Sequence, residues 1–139
     1  MAARVNQLLM TKAIISDFSG VILQLDLRGE AVLNQGLLSW YKQLSQKYIL
    51  ALFTNAISFR FPPIKLQLDD IFSHYYLSSE IGFSKSDSEA YTWIANDLKI
   101  EPSEMVFIDD TKKNIDAAQQ AGLRAFLYSS NKQIKGVLE

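Results

Sequence analysis

The sequence predicts an α/β domain around a central, mostly parallel sheet. Short apolar runs of strand length alternate with stretches of helical period along most of the chain. One run, Tyr48 to Phe53, is almost continuously apolar, the pattern of a strand buried on both faces of a parallel sheet. Two others end on carboxylates: Ala13 to Asp17, and Met105 to Ile108 followed by Asp109 and Asp110. Strands and helices in this alternation imply parallel strands joined by right-handed crossovers.

Ala13 to Asp17 is a short strand, broken by Ser19-Gly20. Val21 to Asp26 and Glu30 to Leu33 flank Leu27-Arg28-Gly29 as a small hairpin or flap. Asn34 stands where it would cap a helix to about Lys47, with Leu37, Leu38, Tyr41 and Leu44 on the inner face. After the strand Tyr48 to Phe53, Pro62-Pro63 forbids a helix through that point. Tyr75 to Leu77 is the next strand. Ser86-Asp-Ser-Glu89 has the form of a capping box with Ser86 at the cap, opening a helix that carries Tyr91, Ile94, Ala95 and Leu98. The strand Met105 to Ile108 leads to a helix from about Lys112 to Ala121, ended by Gly122. Leu123 to Tyr128 is the last strand, and the tail to Glu139 carries no signal. Met10-Thr-Lys looks like a natural start, so residues 1–9 are expected as an N-terminal extension and residues 10–139 as a single core domain.

Bulk properties exclude several classes of function. At 139 residues the chain has the size of one ordinary domain. Its formal net charge of −1 provides no basic field for nucleic acid or an anionic membrane. Without cysteine there are no disulfides, thiolate metal sites or cysteine nucleophiles. No apolar run approaches the roughly 18 residues of a membrane span. The amino terminus lacks the apolar core of a secretory signal, so a cytoplasmic location is expected.

The acids hold the chemical information. Two adjacent carboxylates at the end of a buried strand repel one another unless a cation or hydrogen bonds offset the charge. Magnesium is the usual cation for an all-oxygen site. Parallel sheets bind ligands beyond the carboxyl ends of their strands, at the switch point, and this reading puts Asp17, Thr54 and Asp109/Asp110 there.

Four segments in order, Asp17-Phe-Ser-Gly-Val21, Phe53-Thr54-Asn55, Gly82-Phe-Ser-Lys85 and Phe107-Ile-Asp-Asp110 with Asn114, resemble the four motifs of the haloacid dehalogenase superfamily of hydrolases. The surrounding residues, from Lys12 to Tyr128, are similar to its phosphatase-like members. The resemblance implies a three-layer α/β/α Rossmann-like fold. It also implies Asp17 as nucleophile, forming an aspartyl-phosphate that water later hydrolyses. Magnesium would offset the charge of carboxylate meeting phosphate. Its ligands by the family pattern would be the Asp17 carboxylate, the Ser19 carbonyl and one acid of the last motif, Asp110 directly with Asp109 behind it. Lys85 would hold carboxylate and phosphate as a point charge, and Thr54 with Asn55 and nearby amides would bind the transferring oxygens.

Two departures qualify the resemblance. The family's phosphatases carry a second Asp two residues after the nucleophile as general acid and base, and here that residue is Ser19. A hydroxyl supplies no proton near neutral pH, and the loss of a general acid costs about 10² to 10⁴ in rate. Second, Thr54 follows Asp17 by only 37 positions, too few for a helical cap domain of at least about 50 residues. An uncapped site suits a macromolecular or bulky substrate, or a protein partner that completes it; the expected substrate is a phosphorylated small molecule or a macromolecular phosphate.

Each residue also has a bland reading. Asp17 can be a solvated strand end, Asp109/Asp110 a pair at the positive end of a helix dipole, and Thr54-Asn55 turn residues. Lys85 and Lys112-Lys113 can be solvated lysines, and His74 reads as structural or exposed. Three functions remain open: a magnesium-dependent phosphatase slowed or specialised by Ser19, a non-catalytic binding domain, and a metal-independent hydrolase of another bond. The retained acid pair disfavours the last.

Overall fold

The structure, a computed structural model, describes residues 6–139. Strand β1 (Ala13–Ser16) leads into an antiparallel hairpin of β2 (Leu23–Leu25) and β3 (Ala31–Leu33), the expected flap. Asp26 holds its turn, accepting from the amides of Arg28 and Glu30 at 2.8 and 2.9 Å. Next come α1 (Gln35–Leu44), β4 (Ile49–Thr54), α2 (Pro62–Asp69), β5 (His74–Leu77) and the single turn α3 (Ser78–Ile81). The chain finishes with α4 (Ser88–Leu98), β6 (Met105–Asp109), α5 (Lys112–Gln120), β7 (Arg124–Leu127) and α6 (Asn131–Leu138).

The main sheet has the order β5-β4-β1-β6-β7, and every pairing in it is parallel. Successive side chains point to opposite faces of a strand, so each apolar run serves two cores. Ile14, Leu52, Val106 and Ile108 pack with Leu37 and Tyr41 of α1, Leu68 of α2 and Ile134 of α6. Ala13, Ile15, Phe53 and Phe107 pack with Tyr91 and Ile94 of α4 and Ile115 of α5. The domain is therefore an α/β/α sandwich of three layers. Between β1 and β4 the described chain has room only for the hairpin and α1, and no cap domain is inserted there.

Register positions the site. Ser16 pairs with Leu52 on one side and Ile108 on the other. Asp17 and Asp109 therefore leave the sheet at one level, with Thr54 one residue beyond on β4. The strand order reverses about β1, which makes this edge the switch point where such sheets bind ligands.

Several local expectations need correction. The helix expected to reach Lys47 ends at Leu44, where Ser45 and the following turn take over. Ser86 does not cap α4: Asp87 does, accepting from the Glu89 amide at 3.2 Å, while the Ser86 hydroxyl turns back to Ser84 at 3.0 Å. Pro62 and Pro63 open α2 rather than only excluding a helix, because the first turn needs no amide donors. The last strand is shorter than Leu123 to Tyr128, and the tail read as silent forms α6, capped by Ser130 and anchored by buried Ile134 and Leu138. Of the extension expected over residues 1–9, residues 1–5 lie outside the described residues. Leu8 packs in the core, and the Gln7 amide donates to Leu138 at 3.0 Å.

Candidate active site

Asp17 is buried directly after β1 and its amide donates to Ile108 at 2.9 Å, so β6 fixes its backbone. Its carboxylate accepts from the Phe18 amide at 2.7 Å and from the Lys85 ammonium. Burial pushes the Asp17 carboxyl up to about 7 against the pull of Lys85, and the neighbouring Asp109 adds to the rise.

Lys85 is only 3% exposed, an uncommon state for a lysine. It lies between Asp17 and Asp109, 2.8 Å from the latter, and 5.7 and 5.9 Å from the ring centres of Phe53 and Phe107. Those rings lower the local dielectric, which strengthens both ion pairs and holds the ammonium in one place. Helical periodicity placed Tyr91 in the core but gave no sign of its polar role: its buried hydroxyl donates to the Lys85 carbonyl, with the Asn114 carbonyl 3.4 Å away. Its ring packs edge-on against Phe53 and Phe107.

The adjacent acids differ sharply. Asp109 is fully buried and accepts from Lys85, from the Thr111 amide at 2.8 Å and from Asn114 at 3.2 Å. Asp110 is exposed, and its one hydrogen bond is a long 3.4 Å contact from the Thr111 hydroxyl. One oxygen from each of Asp17, Asp109 and Asp110 lies within 4.8 Å of the others. Gly20 makes this approach possible. Its φ is +85°, and a Cβ there would stand 2.1 Å from the Asp110 Oδ2.

Ser19 is exposed beside them. Phe18 and Gly20 exchange backbone bonds with Leu23, at 2.9 and 2.8 Å, which leaves the Ser19 carbonyl outside that ladder. Thr54 is buried at the end of β4, and its hydroxyl accepts from the Ala56 amide at 3.0 Å. Asn55 is exposed next to it. Asp17, Ser19, Thr54, Asn55, Lys85 and Asp110 all line one open cleft of about 390 Å³. Only Asp109 stays behind its wall.

Residues 26–122 match the family profile of the haloacid dehalogenase-like hydrolases, a span well over half of the chain. The chain belongs to that family. The matched span begins after Asp17, so the geometry alone joins Asp17 to the later residues. The chain is 32% identical over 105 residues to enolase-phosphatase E1 of Yersinia pestis, covering 72% of this chain and 44% of that protein. It thus spans less than half the length of that relative. Among solved structures it resembles a HAD family enzyme of Bacteroides thetaiotaomicron crystallised with magnesium and inorganic phosphate. That match has a TM-score of 0.75 and 17% identity, covering 87% of this chain and 96% of the other. A 2-haloacid dehalogenase from Pseudomonas syringae matches at a TM-score of 0.63 and 25% identity, over 73% of this chain and 44% of that one. No helix among the described residues is long and apolar enough to cross a membrane.

Proposed function

We propose that this hydrolase is a magnesium-dependent phosphatase acting through phospho-Asp17, with activity weakened or specialised by Ser19. The carrying observation is the convergence of Asp17, Thr54, Lys85 and Asp110 in one open cleft. The donor set fits magnesium: it is all oxygen, and Asp110 has unspent acceptor capacity while Asp109 has little. Asp17, Asp110 and the Ser19 carbonyl would hold the ion, with Asp109 orienting Lys85 from behind. Bound magnesium would offset the negative charge shared by carboxylate and phosphate.

The remaining work falls to this chain's own groups. Asp17 presents its carboxylate to phosphorus, and Lys85 fixes that carboxylate and faces the phosphate as a point charge. Thr54 and Asn55 are placed to bind the transferring oxygens. The open cleft suits a phosphorylated small molecule or a phosphate on a macromolecule, and leaves room for a protein partner; the setting proposed is cytoplasmic. The alternative, a binding domain without catalysis, is favoured by Ser19 alone. The acid pair has no use in metal-independent dehalogenation, which counts against that third reading.

The test is a screen of phosphorylated metabolites with and without magnesium. Magnesium should raise the melting temperature by mass action, Asp110→Ala should remove that shift, and Asp17→Asn should erase turnover. An unchanged melting curve across millimolar magnesium would sink the metal site.

A further inference from the structure

We infer that the cleft acts on phosphoryl compounds whose leaving group departs as a stable anion, acyl and aryl phosphates, and that phospho-Asp17 accumulates between the two chemical steps. The inference rests on the phosphatase reading and takes it further, from what the cleft lacks.

Among the described residues, only three side chains lining the cleft ionise: Asp17, Lys85 and Asp110. Asp17 is the nucleophile. Lys85 is buried and engaged by two carboxylates, so its ammonium is committed to them. Asp110 is assigned to the cation, and a carboxylate bound there is no proton carrier. Asp109 lies outside the cleft with its oxygens taken by Lys85, the Thr111 amide and Asn114. The polar groups left at the surface are the hydroxyls of Ser19, Thr54 and Thr111 and the amides of Asn55 and Asn114. None of them exchanges a proton readily near neutral pH.

Four further titratable side chains among the described residues stand apart from the cleft. His74, the only histidine, bonds Ser73 at 2.8 Å and stacks on Tyr76. Tyr91 donates to the Lys85 carbonyl, and Tyr41 bonds Ser16 at 2.8 Å. Tyr128 is held among Asn34, Asn131 and Gln24. None of these four lines the cleft.

The missing proton donor acts on the first step. An Asp17 oxygen bonds to phosphorus as the bond from phosphorus to the leaving oxygen breaks, and the electron pair departs on that oxygen. An alkoxide needs a proton to leave. A carboxylate, whose acid titrates near about 4, or a phenolate near about 10, needs far less help. The missing base acts on the second step. Water bonds to phosphorus, the bond to Asp17 breaks with Asp17 leaving as carboxylate, and the water's proton departs on the product as dihydrogen phosphate. With no group to take that proton early, hydrolysis lags behind phosphoryl transfer.

The experiment uses the full chain with magnesium and three probes: acetyl phosphate, 4-nitrophenyl phosphate and glycerol phosphate. Rapid quench and intact-mass measurement follow the phosphorylated protein. The acyl and aryl probes should exceed the alkyl probe in kcat/KM by about 10²-fold or more. Nitrophenol should appear in a burst of one equivalent per chain, matched by a phosphorylated species absent from Asp17→Asn. Ser19→Asp should speed the alkyl probe by about 10-fold or more and abolish the burst. Turnover of the alkyl probe within about 10-fold of the others, with no burst, overturns this inference and leaves the phosphatase reading standing. If neither the parent nor Ser19→Asp consumes any probe while magnesium still raises the melting temperature, the phosphatase reading falls, and this inference with it.

Discussion

The inner and outer halves of the cleft are built in opposite ways. Inside, Asp17, Lys85 and Asp109 are buried, and each has two or more partners. Outside, Ser19, Asn55 and Asp110 are exposed, with one 3.4 Å contact from Thr111 to Asp110 among them. A charge taken out of water must be compensated by the protein itself, so the inner half is fixed before any ligand arrives. The outer half is compensated by water, which a ligand can displace. The contrast separates groups that hold the geometry from groups that meet the ligand.

Removing Lys85 is the strongest way to break this contrast. Lys85→Met leaves two carboxylates facing each other in the interior and should cost about 3–5 kcal/mol in urea denaturation at pH 8. Lys112→Met removes an exposed lysine, 78% accessible, that pairs with Asp116 at 2.9 Å, and should cost less than about 0.5 kcal/mol. Comparable losses for the two variants would mean that the inner triad carries no special role.

Next in size is a pH effect from the same triad. Burial raises the Asp17 carboxyl from 3.8 to about 7 in the folded protein. Between those values the folded chain keeps a proton that the unfolded chain has released. Stability therefore falls as pH rises from about 4 to about 7, by at most about 1.4 kcal/mol per unit, and levels off above that. Asp69 and Glu104 shift downward at the exposed surface and act in the opposite sense, weakened by solvent. Asp17→Asn isolates the buried group, because it lacks that titration but retains the others. The parent should lose stability relative to Asp17→Asn between about pH 4 and about pH 7. Parallel curves would contradict the burial of a free carboxyl at Asp17.

Legibility in the sequence followed the same division between what local pattern encodes and what only packing decides. The sheet was readable because strands buried on both faces leave long apolar runs, as in β4 and β6. Helix α6 was not, because a stripe of only Ile134 and Leu138 has meaning once α1 and the sheet are there to receive it. Ser130, which accepts from the Gln133 amide at 3.1 Å, was the local signal that could have revealed it. At α4, the spacing of Ser86 to Glu89 predicted Ser86 as the cap, but Asp87 stands nearer the helix start and accepts from the Glu89 amide instead. In the site, the residue types and strand ends of Asp17, Thr54, Lys85 and Asp109/Asp110 were readable. The hold of Tyr91 on Lys85 was not, because its acceptor is a backbone carbonyl brought near only by the fold.

The smallest expected effect tests the outer half directly. Asp110 has no strong hydrogen bond to lose, and its carboxylate lies beside those of Asp17 and Asp109. Asp110→Ala should therefore leave the metal-free protein as stable as the parent or slightly more so, by up to about 1 kcal/mol at low salt. Added salt screens exposed charge, so the gain should shrink as ionic strength rises. Asp109→Ala removes an acceptor from the Thr111 amide and Asn114 and a partner from buried Lys85, and should instead be strongly destabilising. Opposite signs for two neighbouring aspartates, measured by denaturation without magnesium, would locate the boundary between the two halves at the bond between them. A large loss from Asp110→Ala would move that boundary outward and give Asp110 a structural role before any cation binds.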